Sequence, residues 1–525
     1  MAPILNDPGV YIIEDPQPRA NELQLPDMPA GFIGPLFQIA DQDSVTKTSV
    51  TLDEAMMNDI SNQSSVMMSY PSLADSENSV DVESVQVELV KRDGRREEVP
   101  EIVEESEELV TISPTEVTLN LGDETTGDAY QYFKDLNDAW LGKKVDYTEP
   151  DPDWSGLANA AVHINFRSLR EDLIGRVLEV QGAADAQILL GKGTLDNPLG
   201  LAGMIATNLV GNQAHYFVPT EDYLTDVGDN NDEAAAISQA LGLLESKRVH
   251  GITALSPNSQ THQTVLNHCN NMSTVEEKMY RLTWTYKSIP TEEEVMEDQG
   301  LDPLNDEIST IELKSGQVDM LHQYGKSISN ELCRVLYQDF IMEIDGEDVE
   351  VPGYYLSAMY NAFRVGIPSQ QGLTNYPVGG IVKELKYQKG YFKPSQLRRL
   401  SEGGIFVVLQ DVADAPVKAR AQWTTNMLNN TTKQDSLIYS RHDYYYGLID
   451  ALNPLIGVNN VSDSIMETII ETIDAYNNAR REERLINNAE VADISVNPDD
   501  ESRVDVIEDV EFSTPLDKIV NRIRY

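Results

Sequence analysis

The stretch Pro8-Gly9-Val10-Tyr11-Ile12-Ile13-Glu14 decides how the rest of the chain is interpreted. A Pro-Gly pair begins it, β-branched and aromatic residues fill it, and Asp15-Pro16 ends it, which predicts a short β-strand. Prolines at 16, 18, 26 and 29 follow, and because proline donates no backbone hydrogen bond, no hairpin partner is predicted there. We therefore expect the strand to pair with a distant part of the chain or with another copy.

The other end of the chain has the same isolated character. Lys518–Tyr525 mixes apolar and basic side chains, and Thr514-Pro515 separates it from the strand predicted before it. The chain is thus predicted to begin and end in detached strands, which suggests a linking device.

Composition restricts the class of protein. A chain of 525 residues is too long for one ordinary core and predicts three or four domains, while 41% hydrophobic residues exclude a disordered chain. No run of about 18 apolar residues occurs, so no transmembrane helix is predicted. Residues 1–7 lack the basic and apolar regions of a secretory signal, so none is expected.

The net charge is the strongest global signal. There are 87 Asp and Glu residues against 39 Lys and Arg, which gives −48. A small domain needs a net charge of only about 2–8 for solubility, and the excess repels itself unless salt screens it. Because the acidic residues spread along the whole chain, similar to haloarchaeal proteins, we predict adaptation to high salt. No domain is net basic, which disfavours nucleic-acid binding.

Composition shifts divide the chain into six predicted segments. They are an N-terminal linking arm (1–22), a first small β-containing region (23–80), an acidic β-rich insertion (81–155), a central α/β domain (156–370), a C-terminal domain (371–512) and a C-terminal linking strand (513–525). The first region begins with a buried strand at Gly31–Ala40. The insertion is predicted from strands at Val85–Val90, Val110–Ile112 and Val117–Leu121, with a hairpin turn at Asp93-Gly94.

The central segment alternates strands and helices, which predicts a mostly parallel sheet with helices on both faces. Its predicted strands are Val177–Val180, Gln187–Leu190, His250–Leu255, Tyr280–Tyr286 and Leu332–Tyr337. Its predicted helices are Pro198–Leu209, Ala234–Ser246, Ser259–Asn271 and Pro352–Arg364. The C-terminal part is predicted to contain a helix at Pro394–Ser401, a strand at Gly404–Gln410, helices at about 435–454 and 463–486, and strands at Val491–Val496 and Val504–Phe512.

Motifs for catalysis or metal binding are weak. Leu190–Thr194 lacks two positions of a phosphate-binding loop, and residues 226–232 lack the Gly and Glu of a calcium loop. His262 and His268 do not have the i, i+4 spacing of two ligands on one helix face. Cys269 and Cys333 cannot form a disulfide framework, and we expect two reduced, buried thiols, with one bridge as the alternative. No catalytic, cofactor or metal site is therefore predicted.

The landmarks together resemble one family, the contractile tail sheath proteins of myovirus-type phages and related injection machines. Pro8–Glu14 resembles the family's start, and Ala30–Gly34 resembles its second landmark. Ile252–Met272 is similar to its central strand–helix unit, and Gly372–Pro377 resembles the start of its C-terminal domain. Two departures are a degraded strand at Gly404–Gln410, and Arg522 and Arg524 where many relatives are more apolar.

The resemblance implies a multidomain α/β and α+β fold in a structural, non-enzymatic protein. Its central sheath core would be built from N- and C-terminal parts, with the acidic domain inserted. In the family, subunits form hexameric rings stacked helically around an inner tube, and terminal strands leave each subunit to extend a sheet in neighbours. The strand-exchange residues implied here are Pro8, Gly9, Val10, Tyr11, Ile12, Ile13, Lys518, Ile519, Val520, Asn521, Arg522 and Ile523.

The resemblance also implies partners and a location. The partners would be further copies of the chain, a tail tube protein, and baseplate and tail terminator proteins, without nucleic acid or membrane insertion. The location would be a virion tail, assembled in the host cytoplasm. Arg480, Arg481 and Arg484, which close a long predicted helix, are candidates for the tube contact. Favourable interaction with the negative end of the helix dipole is the alternative explanation of these arginines.

Two other functions stay open. The sheath of a non-viral contractile injection system has the same sequence features as that of a haloarchaeal virus. A halophilic α/β hydrolase, from a different class, would be a stable monomer with a ligand pocket.

Overall fold

A computed structural model describes residues 28–40 and 159–514, except 211–212, 224–229, 304–305 and 430, together with short strands between residues 48 and 120. The chain forms two compact units. One comprises the residues up to Leu36 and from Glu171 onward, and the other is Phe37–Arg170. The finer six-segment division stays a prediction.

The strands are, in chain order, β1 (Ala30–Pro35), β2 (Phe37–Ala40), β3 (Thr48–Thr51), β4 (Ser65–Ser69), β5 (Val80–Val90), β6 (Arg96–Val99), β7 (Ile102–Val103), β8 (Glu107–Glu108), β9 (Val110–Ile112), β10 (Glu116–Asn120), β11 (Asn159–Leu169), β12 (Leu178–Gln181), β13 (Ala214–Thr220), β14 (Gly251–Ala254), β15 (Leu282–Tyr286), β16 (Cys333–Leu336), β17 (Phe340–Ile344), β18 (Glu347–Val351), β19 (Pro377–Val378), β20 (Glu384–Leu385), β21 (Val408–Leu409), β22 (Val417–Ala419), β23 (Ile486–Val496) and β24 (Val504–Phe512).

The α-helices are α1 (Ala183–Leu190), α2 (Pro198–Val210), α3 (Asn230–Leu244), α4 (Ser259–Met272), α5 (Glu292–Asp298), α6 (Thr310–Ile328), α7 (Gly353–Val365), α8 (Pro394–Glu402), α9 (Asp435–Leu452) and α10 (Asp463–Glu482). Short 3-10 helices lie at Glu171–Leu173 and Asn453–Leu455. The mixed α/β class with several sheets confirms the prediction at that level.

A six-stranded sheet is the centre of the larger unit. Its strand order is β12-β13-β1-β14-β15-β16, and every neighbouring pair is parallel except β12 with β13. Helices α2 and α7 pack together on one face, and α3 and α4 pack together on the other. The prediction of a mostly parallel sheet covered on both faces is therefore confirmed.

The position of β1 differs from the predicted one. All six residues of β1 are buried, as expected, but the strand lies between β13 and β14 in the middle of the large sheet rather than in a separate small β region. Helix α7 crosses this part of the sheet so closely that a Cβ on Gly251 would lie 1.9 Å from Asn361 Oδ1. Long-range pairing of this kind leaves no signal in local sequence patterns.

Two predicted strands need correction. Gln187–Leu190 belongs to helix α1, which lies between two glycines with positive φ, Gly182 at 86° and Gly191 at 75°. A short apolar run fits a helix or a strand equally well, so periodicity could not decide. Of the predicted strand Gly404–Gln410, only Val408–Leu409 is a strand, although Phe406 N–H donates to the Val335 carbonyl at 2.8 Å beside the edge strand β16.

The smaller unit is all β in its described residues. One sheet has the order β2-β11-β5-β6, with β3 also paired to β11, and β4, β10 and β9 form a second. The pairs in both sheets are antiparallel. Strands were correctly predicted at Val85–Val90 and Val110–Ile112, and β5 pairs with β6 across the segment that holds Asp93-Gly94.

The C-terminal part adds helices α9 and α10 and three small sheets to the larger unit. Two of these sheets have the orders β18-β17-β20 and β19-β22-β21, and the third is the pair β23-β24. The two long helices and the two strands after them confirm the prediction for this region. The final predicted strand, Lys518–Tyr525, lies outside the described residues.

Candidate functional site

The pair β23–β24, which we call the ribbon, directly follows α10. It is antiparallel, with nine residue pairs in register from Ile486 with Phe512 to Val496 with Val504. Among the residues that the structure describes, neither strand pairs with a third. A two-stranded ribbon has backbone N–H and C=O groups free along its outer edges, so it can accept additional strands.

The two faces of the ribbon differ in chemistry. The inner face packs against the core through Ala489, Val491, Val506 and Val510. The outer face exposes acidic side chains, Glu490, Asp493, Asp509 and Glu511. None of these four carboxylates has an ion pair or hydrogen bond within the described part of the chain.

Like charges face each other across the ribbon. Glu490 on β23 lies directly opposite Asp509 on β24. Like charges at directly opposite positions of an antiparallel pair are destabilising. The isolated ribbon therefore carries a repulsion that a cationic partner strand would relieve.

Tyr444 of helix α9 anchors the inner face. Its hydroxyl lies 2.7 Å from Asn477 Oδ1 and 2.9 Å from Glu508 Oε1, and Asn477 Nδ2 also donates to Glu508. The Tyr444 ring contacts that of Phe512 edge to face, with centroids 5.6 Å apart. Burial raises the pKa of the Glu508 carboxyl, and the bonds from Asn477 and Tyr444 partly oppose this shift. These contacts connect the ribbon to both long helices.

The two edges of the ribbon are not equally open. Arg481 Nη2 donates to the Ala489 carbonyl of β23 at 2.5 Å. Within the described residues, no side chain bonds to the backbone of β24. The outer edge of β24 is thus the more accessible one for a further strand.

The three arginines predicted to contact a tube have different environments. Arg480 is buried, donates to Glu483 at 2.8 Å and lies over the Tyr476 ring. Arg481 is half-buried and also donates to Asn478 at 2.6 Å. Arg484 is exposed and has a φ of 65°. A role in tube binding stays a prediction, and Arg484 has the side chain best placed to reach a partner.

The predicted strand-exchange residues, Pro8–Ile13 and Lys518–Ile523, lie outside the described residues. Their role therefore stays a prediction. The segment 226–232 falls partly outside as well.

The segment Leu190–Thr194 forms a turn whose backbone is held by a side chain of the same chain, rather than a loop open to a phosphate. Asn197 Nδ2 donates to the Leu190 carbonyl at 2.7 Å and to the Lys192 carbonyl at 2.9 Å. The Lys192 ammonium lies 3.2 Å from an Asp345 carboxylate oxygen. The lysine that a phosphate loop would use is therefore paired with a carboxylate.

The histidines and cysteines singled out from the sequence make different contacts and do not form one cluster among the described residues. His262 Nε2 lies 3.0 Å from the Ser256 carbonyl, while His268 Nε2 contacts Arg281 at 2.5 Å. Cys269 and Cys333 are both free and buried, which confirms the prediction of two reduced thiols. Burial raises the pKa of Cys269 to about 12, so this thiol is unreactive at neutral pH.

Sequence reasoning missed a buried charged cluster between the sheet and α9. Asp435 Oδ1 accepts from Arg334 Nε at 2.6 Å and Asp435 Oδ2 accepts from Arg364 Nε at 2.9 Å, with all three side chains fully buried. Beside it, His250 Nε2 and His442 Nδ1 lie 3.0 Å apart. An arginine inside the apolar run Leu332–Tyr337 was the signal that a buried partner must exist.

A buried carboxylate at the carboxyl end of β14 is the other polar group that was missed. Glu233 accepts hydrogen bonds from the hydroxyls of Ser256 and Thr261, and from Asn258 Nδ2 at 2.9 Å. In the described part of the chain, no group of three or more His, Cys, Asp or Glu could hold a metal ion. None of the described helices is long and apolar enough to cross a membrane.

Comparisons with known proteins found likenesses among solved structures. No family model and no curated protein matches the chain. The chain is similar to the helical sheath of the anti-feeding prophage in its contracted state, at TM-score 0.48 and 12% identity over 68% of this chain and 90% of that chain. A second likeness is to the contracted sheath complex of an extracellular contractile injection system, PVC, at TM-score 0.48 and 10% identity over 67% and 87%. A third is to the sheath tail protein of Listeria innocua, at TM-score 0.47 and 10% identity over 65% and 89%.

Proposed function

We propose that this chain is the subunit of a contractile tail sheath. Subunits would polymerise as stacked hexameric rings around an inner tail tube and contract to drive the tube through a host envelope. The protein would have no enzymatic role, and its partners would be other copies, a tube protein, and baseplate and terminator proteins. It would assemble in the host cytoplasm and function in the tail of a haloarchaeal virus.

The observation that carries this proposal is the ribbon. It is a well-anchored pair of strands with open edges, in a chain whose two ends are predicted to be strands without local partners. Addition of a strand to an open sheet edge is an established mode of recognition. The order of sequence landmarks that resembles the tail sheath family supports the same function.

Negative-stain microscopy of the purified full-length chain tests the proposal. We expect rings or helical tubes at high protein concentration and in molar salt. A monodisperse monomer at every protein and salt concentration would exclude a self-assembling sheath subunit.

Deleting residues 1–14 tests the N-terminal link. The deleted stretch contains the predicted exchange strand, so we expect a folded subunit that no longer forms tubes. Circular dichroism and sedimentation measure these two properties. The matched control exchanges Glu14, Asp15 and Pro16 for alanine, which leaves Val10–Ile13 intact and should leave assembly intact. Normal tubes from the deleted chain would contradict strand exchange at this end.

The sheath of a non-viral injection system fits the same observations, and neighbouring capsid genes would separate the two. An α/β hydrolase is supported less well. In the grouping nearest to a catalytic triad, Ser256 Oγ bonds to Glu233, and His262 Nε2 bonds to the Ser256 carbonyl rather than to its hydroxyl. A nucleophile needs its base within reach of the hydroxyl itself.

A further inference from the structure

We propose that the acidic outer face of the ribbon docks on a basic stripe of a second copy, formed by Lys389, Arg398, Lys418 and Arg420. The contact is made by side chains on the face of the ribbon and does not use the hydrogen-bonding edges of its strands. The inference rests on the proposed function, because it identifies a surface through which the assembling copies would recognise each other.

The basic stripe lies in a region whose charge is opposite to that of the chain. Residues 383–420 contain eight Lys and Arg residues against four Asp and Glu, which gives +4 in a chain of −48. Carboxylates are abundant everywhere else in this chain. A surface where cations exceed them is therefore complementary to the rest of the protein surface, including that of another copy.

Contacts connect the four cations into one stripe. Lys389 Nζ lies 2.8 Å from Asp411 Oδ1, and Lys418 Nζ lies 3.1 Å from Asp411 Oδ2. Lys418 and Arg420 alternate with buried residues of β22, so both side chains point away from the core. Burial and then the positive charge of Arg398 lower the pKa of the Arg420 guanidinium, which shows that these two side chains are neighbours.

The stripe has positive charge left for a partner. Its two lysines share the single carboxylate of Asp411. Arg398 is exposed and makes no ion pair within the described residues. Arg420 donates to Ser401 Oγ at 3.0 Å, and the charge of Glu402 acts on it only from beyond ion-pair distance.

The outer face of the ribbon has the opposite charge at a matching spacing. Asp509 and Glu511 are two residues apart in β24, which puts them about 7 Å apart along the strand. Lys418 and Arg420 have the same separation along β22 and its extension. The repulsion between Asp509 and the opposed Glu490 would be relieved by these cations.

Each of the two surfaces also carries an exposed apolar side chain. Ile507 lies opposite Asp493 on the outer face and is 58% exposed. Val412 directly follows Asp411, the carboxylate between the two lysines, and is 69% exposed. An apolar centre with a charged rim is the common arrangement of a protein interface. We therefore expect Ile507 to contact Val412 at the centre of the interface.

The contact requires a second copy. Both surfaces belong to the larger unit, and among its described residues no ion pair or hydrogen bond joins residues 383–420 to the ribbon. A subunit with an acidic and a basic surface at different places can bind two neighbours at once. Such head-to-tail contacts form rings where the rotation closes and helices where it does not.

Cysteine cross-linking of full-length chains tests the position of the contact. A chain with Ile507→Cys is mixed before assembly with a larger, tagged chain carrying Val412→Cys, and mild oxidation follows. We expect a disulfide-linked heterodimer several-fold more abundant than with a tagged Val458→Cys chain, because Cα atoms must approach within about 7 Å. Val458 is the matched control, since it is an exposed apolar residue between α9 and α10. Equal yields from the two pairs would overturn the contact.

Charge reversal tests the chemistry. One variant carries Asp509→Lys and Glu511→Lys, and the other carries Arg398→Glu and Lys418→Glu. Each alone brings like charges together, so we expect at least a tenfold loss of sedimenting assembly at the lowest salt that keeps the chain folded, as judged by circular dichroism. Mixing the two variants should restore assembly, since each ribbon then meets an oppositely charged stripe.

Glu276→Lys with Glu277→Lys is the matched control for charge reversal. Both residues are exposed after α4, and the pair of substitutions changes the net charge as much as the ribbon variant does. We expect this chain to assemble like the unaltered one. A loss equal to that of the ribbon variant would show that total charge governs assembly, and would overturn the inference. Should a reversed chain fail to fold, the cross-link decides alone, because it alters no charge.

The outcomes separate this inference from the proposed function. Tubes that form regardless of the charge reversals, without the cross-link, would overturn the inference and leave the sheath function intact. The Ile507→Cys to Val412→Cys link in small oligomers, with no tubes under any condition, would support the inference and exclude the sheath. A link that forms within one chain carrying both substitutions, but never between chains, would overturn docking between copies.

Discussion

Asp435 is the residue on which the buried charge between α9 and the central sheet depends. Its two carboxylate oxygens accept from Arg334 and Arg364, and Arg364 also lies 4.0 Å from the centre of the Tyr439 ring. Removal of one partner from a buried ion pair leaves an uncompensated charge, which costs more than the pair itself contributes. The cluster therefore fixes how α9 packs on the sheet.

The first prediction is that Asp435→Asn lowers the free energy of unfolding by about 3–5 kcal/mol, since two buried guanidiniums lose their counter-charge. Urea denaturation followed by circular dichroism measures the change. Asp450→Asn is the matched control, because Asp450 pairs with Arg248 at 2.8 Å on the surface and should contribute only about 0–1 kcal/mol. Equal effects of the two substitutions would contradict a special role for the buried cluster.

The second prediction concerns the pair His250 and His442. Burial lowers the pKa of both imidazoles well below the usual range, and the charges of Arg334, Arg364, Arg248 and Arg441 act in the same direction. Below about pH 6.5 the unfolded chain therefore binds protons that the folded chain does not. The contribution of the two neutral imidazoles to stability is therefore fully present above about pH 6.5, and it is lost as the pH falls below that value.

Urea unfolding between pH 7.5 and 5 tests the histidine pair. Replacing His442 with Asn should reduce the slope of unfolding free energy against pH by about 1.4 kcal/mol per pH unit, the effect of one proton. Tyr439→Phe is the control, because its ring packs on His250 at 4.1 Å but takes up no proton in this range. An unchanged slope in the His442→Asn chain would show that the imidazole is protonated in the folded state.

At the scale of elements, the ribbon contains a carboxyl group in an unfavourable place. Burial raises the pKa of Glu508, so its charged form is disfavoured in the folded chain, and its contribution to stability falls as pH rises above the unfolded pKa. The third prediction is that Glu508→Gln raises the free energy of unfolding by about 1 kcal/mol at pH 8, because the amide keeps a hydrogen-bond acceptor and carries no charge.

The gain from Glu508→Gln should shrink as the pH falls towards about 4.5, where the carboxyl of the unfolded chain also becomes protonated. Urea unfolding at the two pH values measures it, with Glu467→Gln on the exposed side of α10 as the control. A less stable chain at pH 8 would mean that the carboxylate charge is needed by Tyr444 and Asn477.

The elements show how far sequence patterns reach in this chain. Helices with strong periodicity, such as α9 and α10, and strands between clear breakers, such as β24, were predicted within a few residues. Helix α1 was mistaken for a strand because Gln187–Leu190 has no periodicity that distinguishes the two. The position of β1 and the Asp435 cluster depend on contacts between distant residues, which local patterns do not contain.

The ribbon was predicted as two strands, but its open edge and acidic face became visible only with the register. Within β24, the alternation of side chains puts Asp509 and Glu511 on one face. Glu490 lies opposite Asp509 because a bulge between Val491 and Asp493 shifts the register of the two strands. No sequence rule located this bulge.

At the scale of the whole molecule, the net charge makes the stability of the folded chain depend on salt. The net charge of −48 repels itself, so screening should stabilise the folded chain.

The final prediction is that the melting temperature rises from dilute buffer to about 1 M sodium chloride, where the Debye length falls to about 3 Å, and changes less beyond it. Differential scanning calorimetry measures the rise, and a chain that carries Arg522→Glu and Arg524→Glu should show the same rise, since both residues belong to the predicted linking segment. Sucrose is the control, because it stabilises proteins by being excluded from their surface. That stabilisation does not level off near one concentration as charge screening does. Because screening acts on the repulsion of the whole chain, a melting temperature that is the same in dilute and molar salt would contradict halophilic adaptation.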